Sequence, residues 1–172
     1  MADHGLTPGL ALDITTIDPD DNQPWDFNNV AKRTKALKLI RETKPLFVIG
    51  SPMCRRWSSW QHLNDSRRSP DEVRREKLKE MVHLDFVAQV YREQIEGGRF
   101  FLHEHPDAAT SWQQECIEDI LQIPGVQRTT GHQCQYGQQV QQGKHRGQPI
   151  RKATGWMSNA PRLLALTEVP RE

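Results

Sequence analysis

Apolar positions along the chain recur in two alternating rhythms. Short unbroken runs occur at Leu10–Ile14 (LALDI), Leu46–Gly50 (LFVIG), Arg99–His103 (RFFLH) and, more weakly, Val126–Gln133. Between them the spacing turns helical. Val30, Ala36, Leu37 and Ile40 share a face in 30–43, and Met81, Leu84, Ala88, Tyr91 and Ile95 recur at 3,4,3,4 spacing in 70–96. The second helix has the clearer ends. Ser69-Pro70-Asp71-Glu72 offers an N-cap, a proline at the first helical position and a capping-box acid, and Gly97-Gly98 stops it. A third helix is predicted over 110–122, capped by Thr110-Ser111, with Trp112, Cys116, Ile117, Ile120 and Leu121 inward. Residues 17–29 and 51–69 read as loops, 137–149 as a Gly/Gln-rich loop, and 154–164 as a strand or short helix.

Strands alternating with helices predict one α/β domain over 1–172, a three-layer, Rossmann-like core around a mostly parallel sheet. Such sheets bind ligands beyond the carboxyl ends of their strands. Asp13 lies at the end of the first run, Cys54 just past the second and Glu104 just past the third. Three reactive side chains are therefore expected on one rim.

Composition narrows the class. The 172 residues are 35% hydrophobic with a net charge of +1, so no global basic field argues for nucleic acid. Local pairs, Arg55-Arg56, Arg67-Arg68 and Arg151-Lys152, are the candidates for phosphate contact. The three cysteines, Cys54, Cys116 and Cys134, are widely spaced with no C-x-x-C pair, which argues against a disulfide framework or zinc ribbon. With no leader-like segment and no apolar run of membrane length, the expectation is an intracellular, reducing compartment and no membrane partner.

The rim has a coherent chemistry. A thiol reacts as thiolate, and neighbouring arginines favour that form. Cys54 is followed by Arg55 and Arg56, and Glu104 would serve as proton donor or hydrogen-bond partner if kept protonated. A metal module built from His103, Glu104, His105, His132 and Cys134 is the weaker alternative, because strand alternation sends the two histidines to one side and Glu104 to the other. A nucleic-acid-binding or interaction module without chemistry is another, with Trp57 and Trp60 stacking on bases beside Arg55, Arg56, Arg67 and Arg68.

The ordered motifs from about Pro8 to Pro161 resemble the DNA (cytosine-5) methyltransferases, nearest to a diverged branch seen in viral and retroelement-like polyproteins. Ser51-Pro52-Met53-Cys54-Arg55-Arg56-Trp57-Ser58 is similar to the family's Pro-Cys loop, and His103-Glu104-His105-Pro106 to its Glu-Asn-Val strand end. Gln133-Cys134-Gln135-Tyr136-Gly137, with Arg151-Lys152 and the segment to Asn159, is similar to the part that holds the target base and strand.

The resemblance implies a flipped cytosine attacked at C6 by Cys54 and held at N3 by Glu104, with methyl transfer to C5 from S-adenosylmethionine. Asp13 would hold the cofactor's ribose, and Asp26-Phe27 its adenine. Ser51, Pro52, Arg55, Arg56, Trp57, Ser58, Pro106, Gln133, Gln135, Arg151 and Lys152 would contact the base or the DNA. The sequence departs from the pattern at Met53, where a proline is usual, at His105 for asparagine, and at Gln135 for arginine. Only Met1–Thr7 precede the Asp13 run, so the turn that cradles the cofactor is expected to be missing. Two consequences are expected: a non-catalytic remnant, or a second chain that supplies the front.

Overall fold

The structure, a computed structural model, describes residues 7, 9–58, 65 and 67–167. The chain divides into two compact units, Met1–Leu46 and Phe47–Glu172.

In the first unit, β1 (Ile17–Asp18) and β2 (Gln23–Pro24) form a short antiparallel ladder, followed by α1 (Val30–Thr43). The α1 boundaries are those its periodicity predicts. Asn29 caps it by accepting from the Ala31 N–H at 2.9 Å, and Lys44 ends it with φ of 45°. The strand expected at 10–14 does not form. Asp13 instead starts a turn: its Oδ1 accepts from the Thr15 N–H at 2.8 Å and from the Thr15 hydroxyl at 2.6 Å. The following Thr-Thr pair offers an aspartate local hydrogen bonds that compete with a ladder.

The region expected to be a plain loop holds a buried charge cluster instead. Asp18, 0% exposed, accepts from Lys32 and Lys35, each at 2.6 Å, beside buried Trp25. Burial raises the Asp18 pKa, but the two lysine hydrogen bonds outweigh it and hold the carboxyl below its ordinary value.

The second unit is a four-stranded sheet in the order β3 (Phe47–Gly50), β4 (Phe100–Pro106), β6 (Ala153–Ser158), β5 (Gln127–His132). The expectation of a mostly parallel sheet is corrected. Only β3 and β4 pair in parallel, whereas β6 lies antiparallel to both β4 and β5. Inserting β6 reversed between them still leaves β3, β4 and β5 pointing the same way. Their carboxyl ends therefore share one rim, and β6 starts from it.

Helices α2 (Pro70–Glu96) and α3 (Glu115–Leu121) lie in the connections between strands, and α4 (Pro161–Ala165) follows β6. The α2 boundaries match the sequence reading, with Pro70 in the first turn, but Ser69 makes no side-chain cap bond, so the expected capping box is not formed. Of its predicted stripe, Leu84, Ala88 and Tyr91 are fully buried, while Met81 and Ile95 are half-buried. The helix predicted at 110–122 splits into a 3-10 turn, Thr110–Gln113, and α3, which starts after Gln114.

Alternation along β4 sends Phe101, His103 and His105 to one face, where Tyr91 of α2 stacks on Phe101 at 4.3 Å and Trp112 meets His103 edge-on at 5.1 Å. Leu102, Glu104 and Pro106 take the other face. The two faces are covered differently. Gly155 of β6 lies beneath Trp112, whereas Gly131 of β5 lies beneath the Thr167 carbonyl that follows α4. At the amino end of β4, Asn159 brackets the strand by accepting from the Phe101 N–H at 3.0 Å and donating to the Arg99 carbonyl at 2.8 Å.

A methyl group on Gly155 would lie 2.6 Å from a Trp112 ring carbon and 3.1 Å from Arg128 Nε. Gly155→Ala is therefore expected to destabilise the protein by about 1–3 kcal/mol through overpacking, read from urea unfolding. An unchanged midpoint would mean that Trp112 is free to move.

Candidate functional site

The rim joins the ends of β3, β4 and β5. Ser51 follows β3 directly and its hydroxyl donates to Glu104 Oε2 at 2.6 Å. Glu104 lies inside β4, opposite Trp156, rather than past the strand end as expected. Gln133 follows β5, and its amide reaches Glu104 Oε1 at 3.5 Å, the outer limit of a hydrogen bond. The carboxylate is thus addressed from both sides, tightly by Ser51 and loosely by Gln133, which leaves Oε1 open to a better donor.

A second tie runs along the opposite face of β4. His105 Nε2 lies 3.1 Å from the Pro52 carbonyl, and Nδ1 lies 2.5 Å from the Ser111 hydroxyl. Burial lowers the His105 pKa, the Pro52 bond opposing it, so the ring is neutral near pH 7. A carbonyl only accepts, so Nε2 carries the proton and Nδ1 accepts from Ser111. Pro52 and Ser51, adjacent residues before Cys54, are therefore fastened to adjacent residues of β4 on its two faces. The sequence reading has His105 as a departure from a motif and as a member of the weaker metal module, and its alternation with His103 correctly puts the two rings on one side; the tie to Pro52 and Ser111 is what the structure adds.

Cys54 is half-buried, and its carbonyl accepts from the Trp57 N–H at 3.1 Å to open the 3-10 turn Arg55–Trp57. The turn is anchored from below. Glu80 of α2 accepts from the Arg56 N–H at 2.7 Å, and the Arg56 guanidinium, 2% exposed, contacts Asp65 at 2.5 Å and Glu76 at 3.5 Å. Arg56 was expected to meet substrate and Trp57 to stack on a base. Both are buried instead, Trp57 at 3% exposure, so they hold the loop up rather than face a ligand. Arg55 and Met53 are exposed and Ser58 half-buried, while Trp60 lies outside the described residues. Arg68, also expected to hold phosphate, makes a bidentate pair with Glu76 at 2.6 and 2.9 Å. The signal for this anchor is faint but present: Glu80 and Glu76 sit one and two turns ahead of Leu84, acids continuing an apolar face.

On the β5 side, Gln135 turns back to accept from the His132 N–H at 3.1 Å, and Gln133 N–H donates to the Lys152 carbonyl at 3.1 Å. Arg151 and Lys152 are exposed, with Arg151 Nε 3.4 Å from His132 Nε2. Pro106 ends β4, and its carbonyl accepts from Trp112 Nε1 at 2.8 Å.

The residues expected to hold S-adenosylmethionine belong to the first unit. Asp13 is held by Thr15 in a surface turn, and Asp26 Oδ1 accepts from the Asn28 N–H at 2.9 Å and the Asn28 amide at 2.8 Å. Phe27 offers its carbonyl to Arg33. Each acid is engaged with its own turn, and no strand end presents Asp13. These residues do not fit the cofactor, and no chemical step is derived through it. Among the described residues, no group of three His, Cys, Asp or Glu side chains is placed to hold a metal. None of their helices is long and apolar enough to cross a membrane.

His103, below the rim, is almost wholly enclosed, with Nδ1 2.9 Å from the Tyr91 hydroxyl, and burial pushes its pKa down to about 3. The unfolded chain takes up this proton near 6.5, so the stabilisation is complete above that pH and is lost as pH falls toward 3. One such group gives a slope of about 1.4 kcal/mol per pH unit. Urea unfolding between pH 6 and pH 4 is expected to show a slope smaller by about that amount in His103→Phe. Equal slopes would mean that His103 already titrates in the native state.

Compared with protein-family models, with curated proteins and with solved structures, the chain has no match in any of the three.

Proposed function

We propose that the rim is a cytosine-addition site of the DNA (cytosine-5) methyltransferase kind, with Cys54 as nucleophile and Glu104 as the group that holds the ring. The observation that carries this reading is the double fastening of the thiol loop. Ser51 binds Glu104 and Pro52 binds His105, so the segment before Cys54 is registered against the carboxylate it would work with. Positioning of this kind, rather than either residue alone, is what an addition reaction requires. A three-layer, Rossmann-like core is supported by three co-directional strands ending at one rim, with Tyr91 and Trp112 on one face and the segment after α4 on the other.

In the proposed step a cytosine leaves the DNA stack and enters at the rim. The Cys54 thiol gives its proton to solvent, and the thiolate forms an S–C6 bond. The C5=C6 pair shifts to C4=C5 as the C4=N3 pair takes up a proton at N3 from the Glu104 carboxyl, which leaves a neutral enamine; the proton returns to Glu104 on reversal. Carbon 5 becomes nucleophilic and can take up a proton. Reversal releases a C5 proton and the thiolate, restoring cytosine with no net change.

A second reading, a nucleic-acid-binding module without chemistry, is favoured by the local turns that engage Asp13 and Asp26. The two readings separate without the cofactor. In D2O, the addition reading requires deuterium to enter C5 of cytosine in a DNA duplex carrying an extrahelical or mismatched cytosine, followed by mass spectrometry. Cys54→Ser is expected to abolish exchange, and Glu104→Gln to slow it about 100-fold or more. Absence of exchange in the wild-type protein, or exchange that survives Cys54→Ser, would remove the addition reading.

A further inference from the structure

The two edges of the sheet are built differently. One edge, β5, has no large apolar side chain from Gln127 to His132, and Arg128 is exposed on it. Charged and polar side chains on an edge strand discourage pairing with another chain. The other edge, β3, has no such protection. From Pro45 to Met53 no residue is charged, in a chain that is 26% charged. No bulge interrupts the register of β3 with β4, and no proline falls within Phe47–Gly50. Among the described residues, no strand pairs with the outer side of β3, and Phe47–Gly50 make no backbone hydrogen bond outside the sheet. The register with β4 puts Phe47 and Ile49 on the Glu104 face, beside Phe100 and Leu102. There Ile49 is 68% exposed and Phe100 38%. The cover that the Thr167 carbonyl gives this face lies over Gly131 of β5, on the far side of the sheet.

We propose that β3 is a self-association edge, on which two copies of this chain pair their β3 strands antiparallel about Val48 and join their sheets into one. A two-fold axis at Val48 sets Phe47 of each copy opposite Ile49 of the other. Both side chains lie on the Glu104 face, so each exposed Ile49 gains an aromatic cross-strand neighbour. Self-complementarity is what favours a second copy over a foreign strand. An isologous contact must match an edge to itself, and the uncharged run Phe47-Val48-Ile49 does so with no like charges facing. A net charge of +1 adds little repulsion between copies. Pro45 and Pro52 bracket the run, and neither has an N–H to extend the ladder, which limits slippage. The antiparallel arrangement leaves each rim at its own end of the joined sheet. A ladder this short is at the small end of specific interfaces, so the dimer is reversible, with a dissociation constant of about micromolar or weaker. The assignment stands apart from the reading of the rim, since it uses neither the thiol nor DNA.

The test is sedimentation velocity of the full chain across the micromolar range, in reductant, with a cross-link to fix the register. Wild-type protein is expected to shift from a 19.9 kDa species toward twice that mass as concentration rises. Ile49→Lys is expected to stay monomeric over the same range. Its far-UV circular dichroism should match wild type, because the replaced side chain is exposed. Val48→Cys is expected to give a disulfide-linked dimer on mild oxidation. Facing residues of an antiparallel pair lie about 4.5–5.5 Å apart at Cα, within disulfide reach. Wild type and Leu78→Cys, exposed on α2, should not cross-link. Adding Ile49→Lys to Val48→Cys should abolish the link. A chain that is monomeric throughout, a dimer that Ile49→Lys leaves intact, or equal cross-linking at Leu78→Cys would overturn the proposal.

Discussion

The two-sided character of β4 is the constraint on which the second unit depends. Every other strand is placed by it: β3 in parallel along one edge, β6 antiparallel along the other, and β5 through β6. One face commits Phe101, His103 and His105 to the packing of Tyr91 and Trp112, in a space that tolerates only glycine at positions 50 and 155. The other face leaves Glu104 only partly covered. A strand interior is a rigid place to mount a carboxylate, so the tight core beneath β4 is what fixes the group above it.

The loop before and after Cys54 is held by a different physics from the strand that precedes it. Its start is tied to β4 by Ser51 and Pro52, and its end is supported by α2 through Glu80, Glu76 and the buried Arg56. A guanidinium at 2% exposure is tolerable only because carboxylates meet it. The arginine that sequence reasoning sets beside the thiol as an activator is thereby turned into a foundation. Chemistry at Cys54, if addition occurs there, takes place on a platform clamped at both ends.

Much of the scaffold was legible from pattern alone. The boundaries of α1 and α2 followed from helical spacing and the Gly97-Gly98 stop, because both signals are local. The failures share a cause. LALDI has the composition of a strand, but Asp13 found a competing partner in Thr15 two residues on. The direction of β6 was not legible, since residues 153–158 pair with β4 some fifty residues earlier and nothing in their own order states the sense of pairing. The charge cluster of Asp18 with Lys32 and Lys35 escaped notice because its members are 14 and 17 residues apart and look like surface charge in a list of letters.

The sequence by itself determined which reactive side chains are carried and roughly where: a thiol after one short strand, a carboxylate in the next, amides and cations toward the end of the chain. It did so because residue types and helical or strand periods are local properties. The first of those strands was expected to be buried, but it lies at the sheet edge with Ile49 exposed. Only the tertiary structure decided which side chains became partners. It turned Arg56 and Trp57 inward, bound Ser51 to Glu104, reversed β6, and closed the exposed glutamine-rich loop with a bridge between Gln139 and Pro149. Those outcomes depend on long-range packing and on the need of every buried charge for a partner, which no local window of sequence contains.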